Sequence, residues 1–137
     1  MKIAIIGFGS IGKRHFENLL KLPNIEILIC TKQQITKQHP RVRIINSLSN
    51  CINEKPDLAL ITNETVLHVP TALKFARSNV HLFIEKPLSH SLSDLKKLSR
   101  IIKEKKLVSM IGCNLRFYPC LIKMKELIDS NKIGKII

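Results

Sequence analysis

Tryptophan is missing from the 137 residues, tyrosine occurs once, and aromatic residues make up only 4% of the chain. So thin an aromatic content offers no interleaved rings on which bases could stack. That argues against nucleic-acid binding in spite of a net charge of +13. The densest basic group (Lys96, Lys97, Arg100, Lys103, Lys105 and Lys106) follows a predicted helix over Ser91–Lys106. The apolar positions of that helix are Leu92, Leu95, Leu98, Ile101 and Ile102, so the lysines read as a solvated face opposite a core stripe. Paired cysteine motifs are also missing. Cys30, Cys51, Cys113 and Cys120 form no CxxC and have no metal-type spacing with histidine, so neither a metal site nor a disulfide framework is expected. Cys30 and Cys113 close apolar runs and are expected as buried, reduced thiols, which points to the cytoplasm. No run approaches the ~20 apolar residues of a membrane span. The apolar stretch between Lys2 and Gly7 is too short for the core of a signal peptide. No internal repeat and no low-complexity stretch is present.

What the chain does have begins at Ile3-Ala4-Ile5-Ile6, an apolar run followed by Gly7-Phe8-Gly9-Ser10-Ile11-Gly12 and an amphipathic stretch over Ile11–Leu22. Strand, glycine turn and helix stand in the order that a dinucleotide's pyrophosphate needs. The first glycine permits a tight turn, the second lets the backbone approach the phosphates, and the third lets helix and strand pack closely. The anion then rests on the free N–H groups at the helix N-terminus.

Beyond this turn, short β-type runs alternate with helical ones. Strands are predicted at Lys2–Ile6, Glu26–Cys30, Val42–Ile45, Asp57–Thr62, His81–Ile84 and Leu107–Ile111. Helices are predicted at Ile11–Lys21, Leu48–Asn53, Val69–Arg77, Ser91–Lys106 and Pro119–Asn131. Ser91 with Asp94 comes close to a capping box, and Pro70 and Pro119 each suit a first helical turn. The alternation predicts an α/β fold, a doubly wound parallel sheet covered on both faces. Ligands of such sheets bind beyond the carboxyl ends of the strands. The candidates are therefore the residues just after each strand.

At the end of the second strand an NAD site usually places a carboxylate on the adenosine ribose. Here Thr31-Lys32 stand instead, and the nearest acid, Glu26, is at the other end of that strand. A lysine and a hydroxyl suit a 2′-phosphate, so NADP is favoured over NAD. After the fourth strand come Thr62 and Asn63, suited to capping a helix and touching the nicotinamide half, with His68 five residues further on. Taken alone, His68 reads as a packing or helix-start histidine. After the fifth strand comes Glu85-Lys86-Pro87, in which proline restricts Lys86 to extended backbone and aims it out of the strand end. An amine held there can donate a proton to a substrate oxygen or take one from it.

Together these segments, with Gly112-Cys113-Asn114-Leu115-Arg116-Phe117-Tyr118-Pro119, resemble the Gfo/Idh/MocA oxidoreductases, which include glucose–fructose oxidoreductase and inositol dehydrogenase. The resemblance covers the whole chain, and Glu85-Lys86-Pro87 is its most specific part. It implies a Rossmann fold and a catalytic Lys86 beside nicotinamide and substrate. It also implies that Glu85, Asn114 and Arg116 line the cofactor's nicotinamide side, and with Gly7, Phe8, Gly9, Ser10, Ile11, Gly12, Thr31, Lys32, Thr62, Asn63, His68 and Lys86 they make up the expected cofactor-binding set. Cys113 and Tyr118 depart from the family's usual residues. Family members continue into a second α/β domain that carries most substrate contacts, an Asp/His pair and the usual homo-oligomer interface. The expected division is a dinucleotide-binding domain over residues 1–118, then a connecting helix and the start of that second domain over 119–137. The apolar run ending at Ile137 reads as interrupted, so this chain by itself is expected to bind nucleotide with little turnover.

The function that follows is the cofactor-binding part of an NAD(P)-dependent oxidoreductase. It would move hydride between a nicotinamide and the hydroxyl or ketone carbon of a sugar, polyol or sugar derivative. A non-catalytic nucleotide-binding module or sensor is the alternative, and a basic nucleic-acid binder is a third reading.

Overall fold

The computed structural model describes residues 1–35 and 39–135. Six parallel strands form one sheet: β1 (Lys2–Ile6), β2 (Glu26–Cys30), β3 (Val42–Ile45), β4 (Leu58–Ile61), β5 (His81–Ile84) and β6 (Ser109–Ile111), in the order β3-β2-β1-β4-β5-β6. The helices are α1 (Ser10–Leu20), α2 (Leu48–Asn53), α3 (Thr65–Arg77), α4 (Leu95–Glu104) and α5 (Pro119–Asp129), with a single 3₁₀ turn over Asn114–Phe117. From β1 the chain winds outward to β3, then returns to β4 on the other side of β1. That reversal opens a crevice at the carboxyl ends of β1 and β4, the place where doubly wound sheets bind ligands.

Alternate residues of each central strand enter different cores. Ile3, Ile5, Ile27, Ile29 and Leu60 pack under Phe16, Leu19 and Leu20 of α1. Ala4, Ile6, Leu28, Ala59, Ile61, Leu82 and Ile84 pack under α2, α3 and α4, with Phe75 as the largest fully buried side chain. Burial on both faces is why these strands are apolar throughout rather than alternating. Coverage is not uniform, however. Met110 and Ile111 of β6 are exposed, so the expectation of a sheet covered on both faces fails at that edge.

Three local expectations need correction. Helix α3 starts at Thr65, four residues before the predicted start, and Pro70 lies inside it rather than in its first turn. A proline there leaves the carbonyl of Val66 without its helical N–H. Helix α4 starts at Leu95, and Ser91 does not cap it. The hydroxyls of Ser89 and Ser91 instead accept the N–H groups of Ser91 and Ser93, two residues on, and Asp94 turns left-handed at φ 58. Such local turns compete with helix for the same serine side chains. Leu92 therefore falls outside the core stripe and is 88% exposed. Cys113, expected as a buried thiol, is exposed; Cys51 is the fully buried cysteine.

Helix α5 begins at Pro119 as expected and buries none of its residues. Ile136 and Ile137, the end of the run read as interrupted, lie outside the described residues.

Candidate functional site

The glycine turn is built by steric necessity. Gly7 sits at φ +92, and a Cβ there would lie 2.7 Å from the Cα of Asn63, so only glycine fits. A Cβ on Gly12 would run into the carbonyl oxygen of Gly7 and come within 3.0 Å of Thr62 Oγ1. Gly12 thus faces inward and lets α1 pack down. Gly9 is different, with open space where its Cβ would point. It is also the N-cap of α1 and brings no side chain to cap the helix, and the first turn carries no acid. The leading N–H groups of α1 therefore remain for an anion approaching over Gly9.

Around that point lies a groove of ≈ 860 Å³, lined by Gly7–Ile11, Thr31, Lys32, Thr62, Asn63 and Lys74 among others. This volume lies in the range of ligand clefts, ~300–1,000 Å³. Phe8 contributes backbone to it, while its ring lies in the core, edge-on to Phe16 with centroids 5.5 Å apart. The Thr62 hydroxyl is 3.0 Å from the carbonyl of Ile6 and 2.9 Å from that of Gly7, tying β4 to the turn. Asn63 Nδ2 donates to Thr71 Oγ1 at 3.2 Å, whereas its Oδ1 is buried without a partner. An amide oxygen left without a donor at the groove's wall stays unsatisfied until a donor reaches it.

The groove also meets a thiol pair. Cys30, at the end of β2, lines it, while Cys51 lies buried behind. The neighbouring Cys51 thiol holds the Cys30 thiol below its ordinary range. The same contact, reinforced by burial, pushes Cys51 far up.

Beyond the groove, the ends of β5 and β6 hold the remaining candidates. Glu85 is 9% exposed, and its Oε1 lies 2.7 Å from Nε2 of His15. Its Oε2 accepts the N–H of Lys86 at 3.2 Å. A Cβ on Gly112 would come within 3.0 Å of this carboxylate, so β6 closes over it. His15 went unnoticed in the sequence; its place one turn into α1, three residues after Gly12, was the available signal. Lys86 is exposed, stands two residues beyond the end of β5, and joins Pro87 through a cis peptide. Among the described residues nothing pairs with its Nζ. His68 is buried at 2% exposure, with Nδ1 2.9 Å from the carbonyl of Pro87 and Nε2 2.9 Å from that of Asn63. As a direct cofactor contact it is therefore corrected, because it stands behind the groove. Asn114 and Arg116 do not line the groove either. Arg116 borders a second, apolar hollow with Leu88, Leu98, Ile102, Met110 and Phe117.

The residues present fit a dinucleotide: an uncapped helix start, an open glycine, a lysine at the β2 end and an unpartnered amide oxygen. The comparisons with known proteins agree. Residues 1–113 match the family model described as an oxidoreductase family with an NAD-binding Rossmann fold. The chain is 30% identical over its full length to scyllo-inositol 2-dehydrogenase (NAD(+)) of Bacillus subtilis, covering 42% of that protein. Myo-inositol 2-dehydrogenase of Thermotoga maritima is 27% identical over 98% of the chain, again covering 42% of the relative. The crystal structure of myo-inositol 2-dehydrogenase from Lactobacillus plantarum superposes on the whole chain with a TM-score of 0.89 at 22% identity, over 43% of its own length. The chain thus spans about two-fifths of the length of these relatives. Among the described residues no helix is long and apolar enough to cross a membrane. On the match over residues 1–113, this chain belongs to the Gfo/Idh/MocA oxidoreductase family, and the part matched is its NAD-binding Rossmann fold.

Proposed function

We propose that this chain is the dinucleotide-holding unit of an NAD(P)-dependent oxidoreductase acting on a polyol or sugar-like substrate. The observation that carries this reading is the open face of Gly9 above the uncapped start of α1, set in a groove walled in part by Asn63, whose buried Oδ1 has no partner. The inositol dehydrogenases among the relatives support the substrate class. When bound, a nicotinamide dinucleotide supplies hydride acceptance and donation.

The chain's own residues do the rest. The N–H groups after Gly9 hold pyrophosphate oxygens. Thr31 and Lys32 face the adenosine ribose, and Lys32 gives a 2′-phosphate a cationic partner. Asn63 orients the opposite half of the molecule by accepting a hydrogen bond. Lys86, exposed on the β5 end of the same sheet edge, exchanges a proton with the substrate oxygen whose carbon changes oxidation state. Glu85, held by His15, fixes the backbone N–H of Lys86 and does not touch substrate. Residues 1–118 make up the dinucleotide-binding unit in this reading, and 119–137 connect it to a region that shapes the substrate site. The location we assign is the cytoplasm.

The test is thermal unfolding with each dinucleotide. A ligand at ~100 times its dissociation constant adds ~2.7 kcal/mol, which raises the midpoint by on the order of 10 °C in a domain of this size. The shift expected with NADP is at least as large as with NAD. No shift with either overturns the reading; a larger one with NAD reverses the role given to Lys32.

A further inference from the structure

His68 stands where two functional loops meet, and nothing in the chemistry above uses it. It belongs to the first turns of α3, five residues after Asn63, and is sealed from solvent. One ring nitrogen reaches the main-chain carbonyl of Asn63, and the other reaches that of Pro87, both at 2.9 Å. Asn63 lines the groove and carries a buried, unpartnered amide oxygen, and Pro87 directly follows Lys86. One rigid ring therefore spans the loop after β4 and the loop after β5. β4 and β5 are neighbours in register, and their pairing ends with Ile61 opposite Ile84. The sheet alone does not set the separation of those loops. The imidazole wedged between the two carbonyls does, donating an N–H to one and packing its other nitrogen against the second.

We propose that His68 is a positioning residue that locks the Lys86-Pro87 segment to the Asn63 loop, so that Asn63 and Lys86 address one ligand together. The proposal rests on the reading of this chain as a nicotinamide-dinucleotide binder and deepens it. It separates two halves of the site. The phosphate-holding turn at Gly7–Gly12 is fixed by its own sterics and by Thr62, and does not depend on His68. The placement of Asn63 and Lys86 does depend on it.

The experiment compares His68→Phe, which keeps a ring of similar size, and His68→Gln, which keeps one polar contact, with the unaltered chain. Calorimetric titration with NAD and with ADP-ribose, the same molecule lacking the nicotinamide ring, reads the two halves separately. Acylation of Lys86, followed by peptide mass mapping with and without NAD, reads the lysine. In His68→Phe, ADP-ribose affinity should stay within about twofold while NAD affinity falls by about tenfold, the loss of roughly one well-placed hydrogen bond. NAD should slow Lys86 acylation in the unaltered chain and no longer do so in His68→Phe. His68→Gln should fall between, and it decides the matter if His68→Phe does not fold. A folded variant that keeps both the NAD to ADP-ribose ratio and the protection of Lys86 overturns the proposal alone. Equal loss of both affinities also overturns it, since that marks a general structural role. If the unaltered chain binds none of NAD, NADP and ADP-ribose, the underlying reading falls, and this inference with it.

Discussion

At the residue scale, the site is a set of positions where one atom more or less decides the outcome. Gly7 lies in left-handed backbone with Asn63 closing in from β4, so a methyl group has no room and the wrong φ. Gly7→Ala should lower stability by about 1–3 kcal/mol in urea unfolding and remove measurable dinucleotide binding. A variant with native affinity would mean that the turn is not the phosphate site. Lys32→Glu should weaken NADP binding by about tenfold, the scale of one exposed charge-assisted contact, while leaving NAD affinity nearly unchanged. The Cys30–Cys51 pair gives a pH signature. Alkylation needs the thiolate, and the neighbouring Cys51 favours that form at Cys30. The alkylation rate of Cys30 should therefore reach its plateau at lower pH than an ordinary thiol's. Cys51→Ala should move that profile upward, and bound dinucleotide should slow the reaction because Cys30 lines the groove. Peptide mapping separates Cys30 from the exposed Cys113 and Cys120.

The elements themselves were mostly legible because the strands are short, apolar and punctuated. β1, β2, β3, β5 and α2 fall where the apolar runs place them, and β4 differs by one residue at each end. Helix starts were harder, for a physical reason. Ser91 could cap a helix or close a local turn with Ser93, and only the packing of α4 on α3 chose the second. The periodic pattern of α4 includes Leu92, yet Leu98 is the residue that enters the core. Leu98→Ala should cost ~2–4 kcal/mol in chemical denaturation, as buried leucines do, whereas Leu92→Ala should stay within about 0.5 kcal/mol. Comparable losses at both would show that the helix begins earlier. Pro70 misled for a related reason. A proline near a helix start is read as its first turn, but α3 is capped at Glu64 and has completed its first turn before Pro70.

Over the whole molecule, the charge of +13 surrounds a groove that itself holds Lys32 and Lys74 against Glu64. Binding should weaken as salt rises, and NADP should lose more affinity than NAD between low and high ionic strength, since it carries the extra phosphate. Equal salt dependence would argue against Lys32 as the phosphate partner. The winding of the sheet, the glycine turn and the candidate residues at strand ends follow from the chain's own order of apolar runs and glycines. These are local properties, set by side-chain periodicity and by the room a Cβ needs. The sequence by itself therefore determined the α/β class, the glycine turn and the family. Tertiary structure alone decided which candidates share a groove. Thr31, Lys32 and Asn63 meet the turn, whereas Arg116 turns to another hollow. It alone decided that His15 and His68 serve Glu85, Asn63 and Pro87 from behind. Those contacts join residues up to 70 positions apart in the chain. No periodicity encodes them, because they exist only once parallel strands have brought their carboxyl ends to one edge.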